Sequence, residues 1–151
     1  MTAFAIARVA APDLDDLLPL MRAYCDFYAV SPSDEDLVGM SRALIADPER
    51  EGVQFIGRGA DGAAVGFASL FWTWDTTEGG RIAVMNDLYV DAAVRGAGAG
   101  TALIEACRAE ALERGARVLA WKTALDNTRA QAVYDRTGAE RARWLDYSMR
   151  V

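Results

Sequence analysis

The sequence predicts an α/β (α+β) fold, a mixed sheet with helices on both faces. Three observations carry that expectation. Runs of strand-forming residues are separated by segments whose apolar residues recur at helical spacing. An Asp61-Gly62 turn signal between two such runs marks a hairpin. The order that results, β-α-α-β-β-β-α-β-α-β, brings helices to either side of one sheet. At 151 residues the chain reads most simply as one domain, 1–151. A chain of that size buries roughly 68–70% of its unfolded surface, so it needs neither a disulfide nor a metal staple.

The elements follow in order. FAIARV (residues 4–9) alternates well enough for a first strand. Pro12 opens a helix whose first turn carries Asp13, Asp15 and Asp16, favourable beside the positive end of the helix dipole. Leu14, Leu17, Leu18, Met21, Cys25 and Tyr28 give that helix one apolar face. In SPSDEDL, Ser33 is the N-cap of a second helix with Asp36 three residues on, and Pro48 and Gly52 end it. The hairpin spans VQFIGRGADGAAVGFASLFWTW, and RIAVMNDLYV (81–90) is the next strand. A helix then runs from Gly98 to Arg114 with Gly115 as its stop. RVLAWKT (117–123) is a strand, Asn127 caps a short helix ending near Arg136, and ARWLDYSMRV closes as a final strand.

Composition narrows the chemistry. The chain is 52% hydrophobic and 25% charged, with a mean hydropathy of +0.03, as in ordinary globular domains. No apolar run approaches the roughly 18 residues of a membrane span, and the N-terminus lacks the basic start of a signal peptide. A cytoplasmic location is the expectation. Cys25 and Cys107 fall in apolar-periodic segments and read as buried free thiols. There is no histidine, which removes Ser-His-Asp and Cys-His catalysis and leaves no zinc-ligand cluster, so no metal is expected. A net charge of −6 and a pI of about 4.6 argue against nucleic acid as a partner. The same acidity suits a cationic substrate, or serves solubility alone.

VRGAGAG (94–100) places three glycines directly before a helical run. A strand that leads through glycines into a helix N-terminus gathers bare N–H groups and the positive dipole end, a seat for an anion. The P-loop needs a lysine after its glycines, and none follows here. The dinucleotide fingerprint needs a glycine where Thr101 stands. The pattern R-x-x-G-x-G is met by Arg95, Gly98 and Gly100.

The blocks NDLYVDAAVRGAGAGTALIEA, which contains this turn, and WKTALDNTRAQAVYDRTGAE resemble the GNAT superfamily of acetyl-CoA-dependent N-acetyltransferases, most closely its small-amine and histone/polyamine members. The two blocks cover the C-terminal two-fifths of the chain, and Asn127 precedes Tyr134 by the family's spacing. The resemblance implies the GNAT fold, a mostly antiparallel sheet of six or seven strands splayed into a V. It implies a CoA pyrophosphate on the turn formed by Arg95, Gly96, Ala97, Gly98, Ala99, Gly100 and Thr101. Leu88, Tyr89 and Val90 would lie along the pantetheine arm, with Asn127 and Ala130 beside it and Arg136 within reach of a phosphate. Tyr134 would stand near the thioester sulfur.

Acetyl transfer to an amine makes three demands. The ammonium, with an ordinary pKa near 10.4, must lose a proton; the oxyanion needs a donor, here a backbone N–H of 88–90; the leaving thiolate needs a proton. Tyr134 is assigned the last task. Some family members carry a glutamate at the position of Asn86, and asparagine takes no proton. Asp87 is the base or the amine's anchor if a bulge re-aims it, or a water chain leads to more distant carboxylates. Tyr24, Asp26, Tyr28, Trp72, Trp74 and Asp87 form the expected acceptor site, since aromatic faces and carboxylates suit an ammonium. Trp72 and Trp74, two apart on a strand, equally suit a core or an interface. The expected activity is transfer to a small or polyamine-like amine. Alternatives are a protein lysine or N-terminus as acceptor, or a CoA-binding regulatory module without chemistry. RWLDYSMRV is a candidate apolar edge for a homodimer.

Overall fold

The computed structural model describes residues 3–151. Five strands form one sheet in the order β1-β2-β3-β4-β5: β1 (Ala5–Arg8), β2 (Gly52–Arg58), β3 (Ala64–Asp75), β4 (Gly80–Val90) and β5 (Leu119–Ala120). The first four pair antiparallel and β5 pairs parallel to β4, so the sheet is mixed, with one strand fewer than the lower expectation of six. Among the described residues no helix is long and apolar enough to cross a membrane.

Local chemistry explains the boundaries. The Ser33 hydroxyl accepts the Asp36 N–H at 3.0 Å and starts α2 (Asp34–Ala46). Asp61 Oδ1 accepts the Ala63 N–H at 3.0 Å within the β2–β3 turn, where Gly62 takes a positive φ of 83°. Asn127 Oδ1 accepts the Ala130 N–H at 3.2 Å and caps α4 (Thr128–Asp135).

Each face of the sheet has its own core. α1 (Leu14–Phe27) and α2 cover one face, where Leu17, Met21, Cys25 and Leu37 pack on Ile56 and Phe67. α3 (Ala99–Glu113) covers the other, setting Leu103, Ile104 and Cys107 on Phe55, Leu70 and Met85. At the end of α3 the buried Glu110 carboxylate pairs with Arg8 and, at 3.1 Å, with Arg114 Nε. Arg114 also meets Glu49 at 2.5 Å, tying α3 to β1 and to the α2–β2 loop.

Two strands fall short of expectation. Of residues 117–123 only Leu119–Ala120 are strand, paired through Ala83↔Leu119 and Val84↔Ala120. Beyond Val84 the two strands part, so Trp121–Thr123 have no ladder to join. The expected final strand, ARWLDYSMRV, is absent: residues 139–151 have no regular secondary structure and are exposed throughout.

Candidate active site

The parting of β4 and β5 opens a cavity of about 520 Å³. β4 supplies Met85, Asn86, Leu88, Tyr89 and Val90 to one wall, and Trp121, Lys122 and Thr123 form the facing wall. The end of α1 adds Tyr24, Phe27 and Tyr28, and α4 adds Arg129, Ala130, Ala132, Val133 and Tyr134, with Arg136 just after it. The floor is the glycine turn: Arg95, Gly96, Gly98, Ala99, Gly100 and Thr101.

The turn ends in a bare helix start. Gly98 is the N-cap of α3 at φ 96°, a left-handed conformation that glycine adopts without strain, and it offers no capping side chain. The first helical bond runs from Ala102 N to Gly98 O at 3.0 Å. The N–H groups of Ala99, Gly100 and Thr101 therefore have no acceptor in the helix. Gly100 is different, because its φ is ordinary and a Cβ there would meet only Val90 Cγ2, at 3.8 Å. Neither backbone strain nor packing asks for glycine at 100.

The charge lining the cavity is of one sign. Arg95, Arg129, Arg136 and Lys122, the chain's single lysine, line the cavity, and among the described residues no carboxylate does. Arg95 is held in place, its Nε donating to Val90 O at 2.9 Å and its guanidinium lying 5.9 Å from the Tyr89 ring. Asn127 spends its oxygen on the α4 cap, which leaves its NH2 group to donate into the cavity.

A bulge in β4 sets the remaining chemistry. Leu70 pairs with Met85 but Ser69 pairs with Asp87, so Asn86 is the extra residue. The slip reverses the alternation. Met85 joins the α3 core, whereas Asp87 turns to the α1 face, opposite Ser69 and near Tyr24. Asn86 stays exposed in the cavity, its Nδ2 donating to Asp87 Oδ1 at 3.0 Å. Tyr24 stands between Asp87 and the cavity; its hydroxyl is 3.4 Å from Asn86 O and its ring 5.0 Å from that of Tyr28. Behind Asp87, the buried Ser69 hydroxyl accepts Gln54 Nε2 at 3.0 Å.

Burial, and then the nearby Asp87 carboxylate, raises the Tyr24 pKa above the ordinary phenol value. Burial, followed by the proximity of Tyr28, raises that of Tyr134, whose ring packs edge-on against Trp121 at 5.6 Å. Both phenols keep their protons at neutral pH. Cys25 and Cys107 are unpaired and buried, and burial pushes the Cys107 thiol up to about 12, so neither is a nucleophile.

Several expected positions lie elsewhere. Trp72 and Trp74 pair with Ala83 and Arg81, on a stretch of β3 that has already passed the cavity. Trp72 instead donates its Nε1 to Pro48 O at 2.8 Å beneath the Arg114 guanidinium, and Trp74 is exposed with Arg81 5.3 Å from its ring. Asp26 is exposed and off the Tyr24–Phe27–Tyr28 stripe of α1, and Ala97 is exposed between the two lining glycines. Asp87 does not line the cavity and reaches it only past Tyr24 and Asn86. Sequence reasoning missed Arg129, Val133, Trp121, Thr123 and Lys122. Arg129, Val133 and Arg136 recur at i, i+4 and i+7 beside Tyr134, a helical stripe that would have marked the first two.

Comparison with known proteins decides the family. The model of the acetyltransferase (GNAT) family matches residues 14–139. The chain belongs to that family. It is 30% identical to the uncharacterized N-acetyltransferase YhfO of Bacillus subtilis (strain 168) over 135 residues, 89% of each chain. It is 29% identical to an aminoglycoside N(6')-acetyltransferase type 1 of Stenotrophomonas maltophilia over 118 residues, 76% of this chain and 75% of the relative. The fold matches that of a probable acetyltransferase at a TM-score of 0.83, with 23% identity and 97% of each chain covered. It also matches the aminoglycoside N-acetyltransferase AAC(6')-Iy in complex with CoA, at a TM-score of 0.76 and 23% identity, covering 100% of this chain and 97% of that one. The chain is thus a GNAT N-acetyltransferase, on a mixed sheet of five strands.

Proposed function

We propose that this GNAT protein moves an acetyl group from acetyl-CoA to a small primary amine by direct attack in a ternary complex, with residues 1–151 working as one domain. The observation that carries the reading is the cavity wall. Four cations and a bare helix N-terminus face one space that no carboxylate lines, in a chain of net charge −6. Such a wall suits a ligand bearing several phosphates. Gly100 leaves room for it at the helix start.

Acetyl-CoA supplies the thioester-activated acetyl group. The chain's own residues do the rest. The N–H groups of Ala99, Gly100 and Thr101, with Arg95 and Arg136, hold phosphate oxygens, and Asn127 donates to the pantetheine arm. A backbone N–H of the Leu88–Val90 segment faces the developing oxyanion. Tyr24 takes a proton from the ammonium as it passes its own to Asp87, because Asp87 is screened from the cavity and Asn86 accepts no proton. Tyr134, held neutral, gives its proton to the departing thiolate.

The acceptor lies against Tyr24 and Tyr28, whose faces attract an ammonium. The likeness to aminoglycoside acetyltransferases supports a small amine. A polyamine-like amine fits the same aromatic wall, but the carboxylates that would have selected it stand outside the cavity. Two buried free thiols suit a reducing compartment, and we place the activity in the cytoplasm.

Thiol release from acetyl-CoA over a panel of small amines tests the reading. Tyr134→Phe should lower kcat by about 100-fold or more while KM for acetyl-CoA stays near wild type. Unchanged turnover would remove Tyr134 from the reaction. Saturable binding without thiol release from any amine would favour the non-catalytic module, for which Asn86 speaks.

A further inference from the structure

The four cations of the cavity come from different walls. Arg95 belongs to the glycine turn, and Arg129 and Arg136 to α4 and the residue that follows it. Those elements hold the phosphates in the proposed reaction. Lys122, the chain's single lysine, comes from the facing wall, and no step of that reaction uses it.

The strands fix its place. The last ladder pair between β4 and β5 is Val84 with Ala120, and two residues further along each strand stand Asn86 and Lys122. The lysine therefore faces the β4 bulge across the gap, at the level where the Tyr24 hydroxyl meets Asn86 O. Trp121 packs into the core under α3 and rests on Tyr134. The alternation carried on from β5 then sends Lys122 to the opposite face of the sheet, the one that α1 covers. Tyr24 and Tyr28, against which the amine lies in the proposed reaction, stand on that face.

Carboxylates are near but outside. Asp87 lies behind Tyr24, and Asp26 is exposed off the lining stripe of α1. Asp146 Oδ1 meets Lys122 Nζ at 3.3 Å without lining the cavity, and both side chains are about three-quarters exposed. Water screens such a pair, and a ligand displaces it at little cost. A diamine or a polyamine would bring its second ammonium against Lys122, with no carboxylate in the cavity to offset it. An amine that bears a carboxylate meets the opposite situation, with its ammonium on the tyrosine faces and its carboxylate on the lysine.

We propose that the acceptor is a small amine bearing a carboxylate, an amino acid in the broad sense, and that Lys122 binds that carboxylate. The inference rests on the proposed acetyl transfer and names its acceptor class. The amine nitrogen, once it has lost a proton, attacks the thioester carbonyl. A C–N bond forms, the C–S bond breaks and the thiolate leaves with a proton, giving an N-acetylated amino acid and CoA.

Thiol release over three series of matched length decides: amino acids, alkylamines and diamines. For the best amino acid kcat/KM should exceed that of its matched diamine by about 10-fold or more. Lys122→Glu should reverse this order, and Lys122→Met should remove the preference for the amino acid over the alkylamine. Asp146→Asn, which removes the lysine's competing carboxylate, should lower KM for the amino acid. Diamines turned over as well as amino acids, or a preference that survives Lys122→Glu, would overturn the inference and leave acetyl transfer standing. Calorimetric titration of amino acids into the CoA-loaded protein needs no chemistry. Binding should saturate, and Lys122→Glu should weaken it by about 10-fold or more. That result without thiol release from any amine would keep the ligand class and remove the reaction. Binding of no amino acid would contradict the inference.

Discussion

Leu103, on α3, is fully buried, whereas Leu125, before α4, is three-quarters exposed. The two leucines stand for the two regions that meet at the cavity. Up to Ala111 the chain is a platform: four strands in long antiparallel ladders, a helical layer on each face and an ionic tie at Glu110. Beyond Ala111 two backbone pairs hold β5 to the sheet, and α4 is half open. The platform owes its order to burial within the chain. The second region presents Tyr134, Asn127, Arg129 and Arg136 to a space that the chain itself leaves unfilled.

The largest test of that contrast is a pair of truncations. Leu103→Ala should cost about 2–5 kcal/mol of stability, the range for an aliphatic side chain lost from a packed core. Leu125→Ala should change stability by less than about 0.5 kcal/mol. Urea unfolding of both variants decides, and equal losses would erase the distinction between the regions.

Next in size is a pH effect confined to the platform. The Cys107 thiol is raised from its ordinary 9 to about 12 by burial, so the folded chain keeps a proton that the unfolded chain releases. This contribution to stability is therefore complete below about pH 9 and is lost as pH rises from there towards 12. Between pH 9 and 10, below the ordinary tyrosine range, Cys107→Ala should flatten that fall. Urea midpoints of the two proteins at several pH values measure it, and parallel curves would contradict the assignment.

The smallest effect is the sharpest in sign. Gly100→Ala replaces a helical glycine where a Cβ has room, so stability should rise by up to about 1 kcal/mol. Acetyl-CoA binding should weaken in the same variant, because the added methyl stands at the helix start. A variant with unchanged affinity would leave Gly100 unexplained.

Where order is local, the sequence was a good guide. Ser33, Asp61-Gly62 and Asn127 each sit at the cap or turn expected of them, because those signals act within a few residues. The glycine turn was legible for the same reason. Pairing across distance was not. MNDLYV reads as unbroken strand, and only its register against β3 reveals the bulge at Asn86 that turns Asp87 towards Tyr24. Trp72 and Trp74 look like site aromatics until the length of β3 carries them past the cavity. RVLAWKT and ARWLDYSMRV have strand chemistry, yet most of the first and all of the second lack a ladder partner in the chain, and a strand without one does not form.

Calorimetric melting with increasing acetyl-CoA tests most directly whether the cavity between the platform and the open region binds this ligand. A ligand bound only by the folded state adds about 2.7 kcal/mol at one hundred times its dissociation constant. For a chain of this size that is a rise in Tm of about 5–10 °C. Wild type should show a saturable rise of that order, and Gly100→Ala a smaller one at equal ligand. A wild-type Tm that does not move at any acetyl-CoA concentration would contradict it.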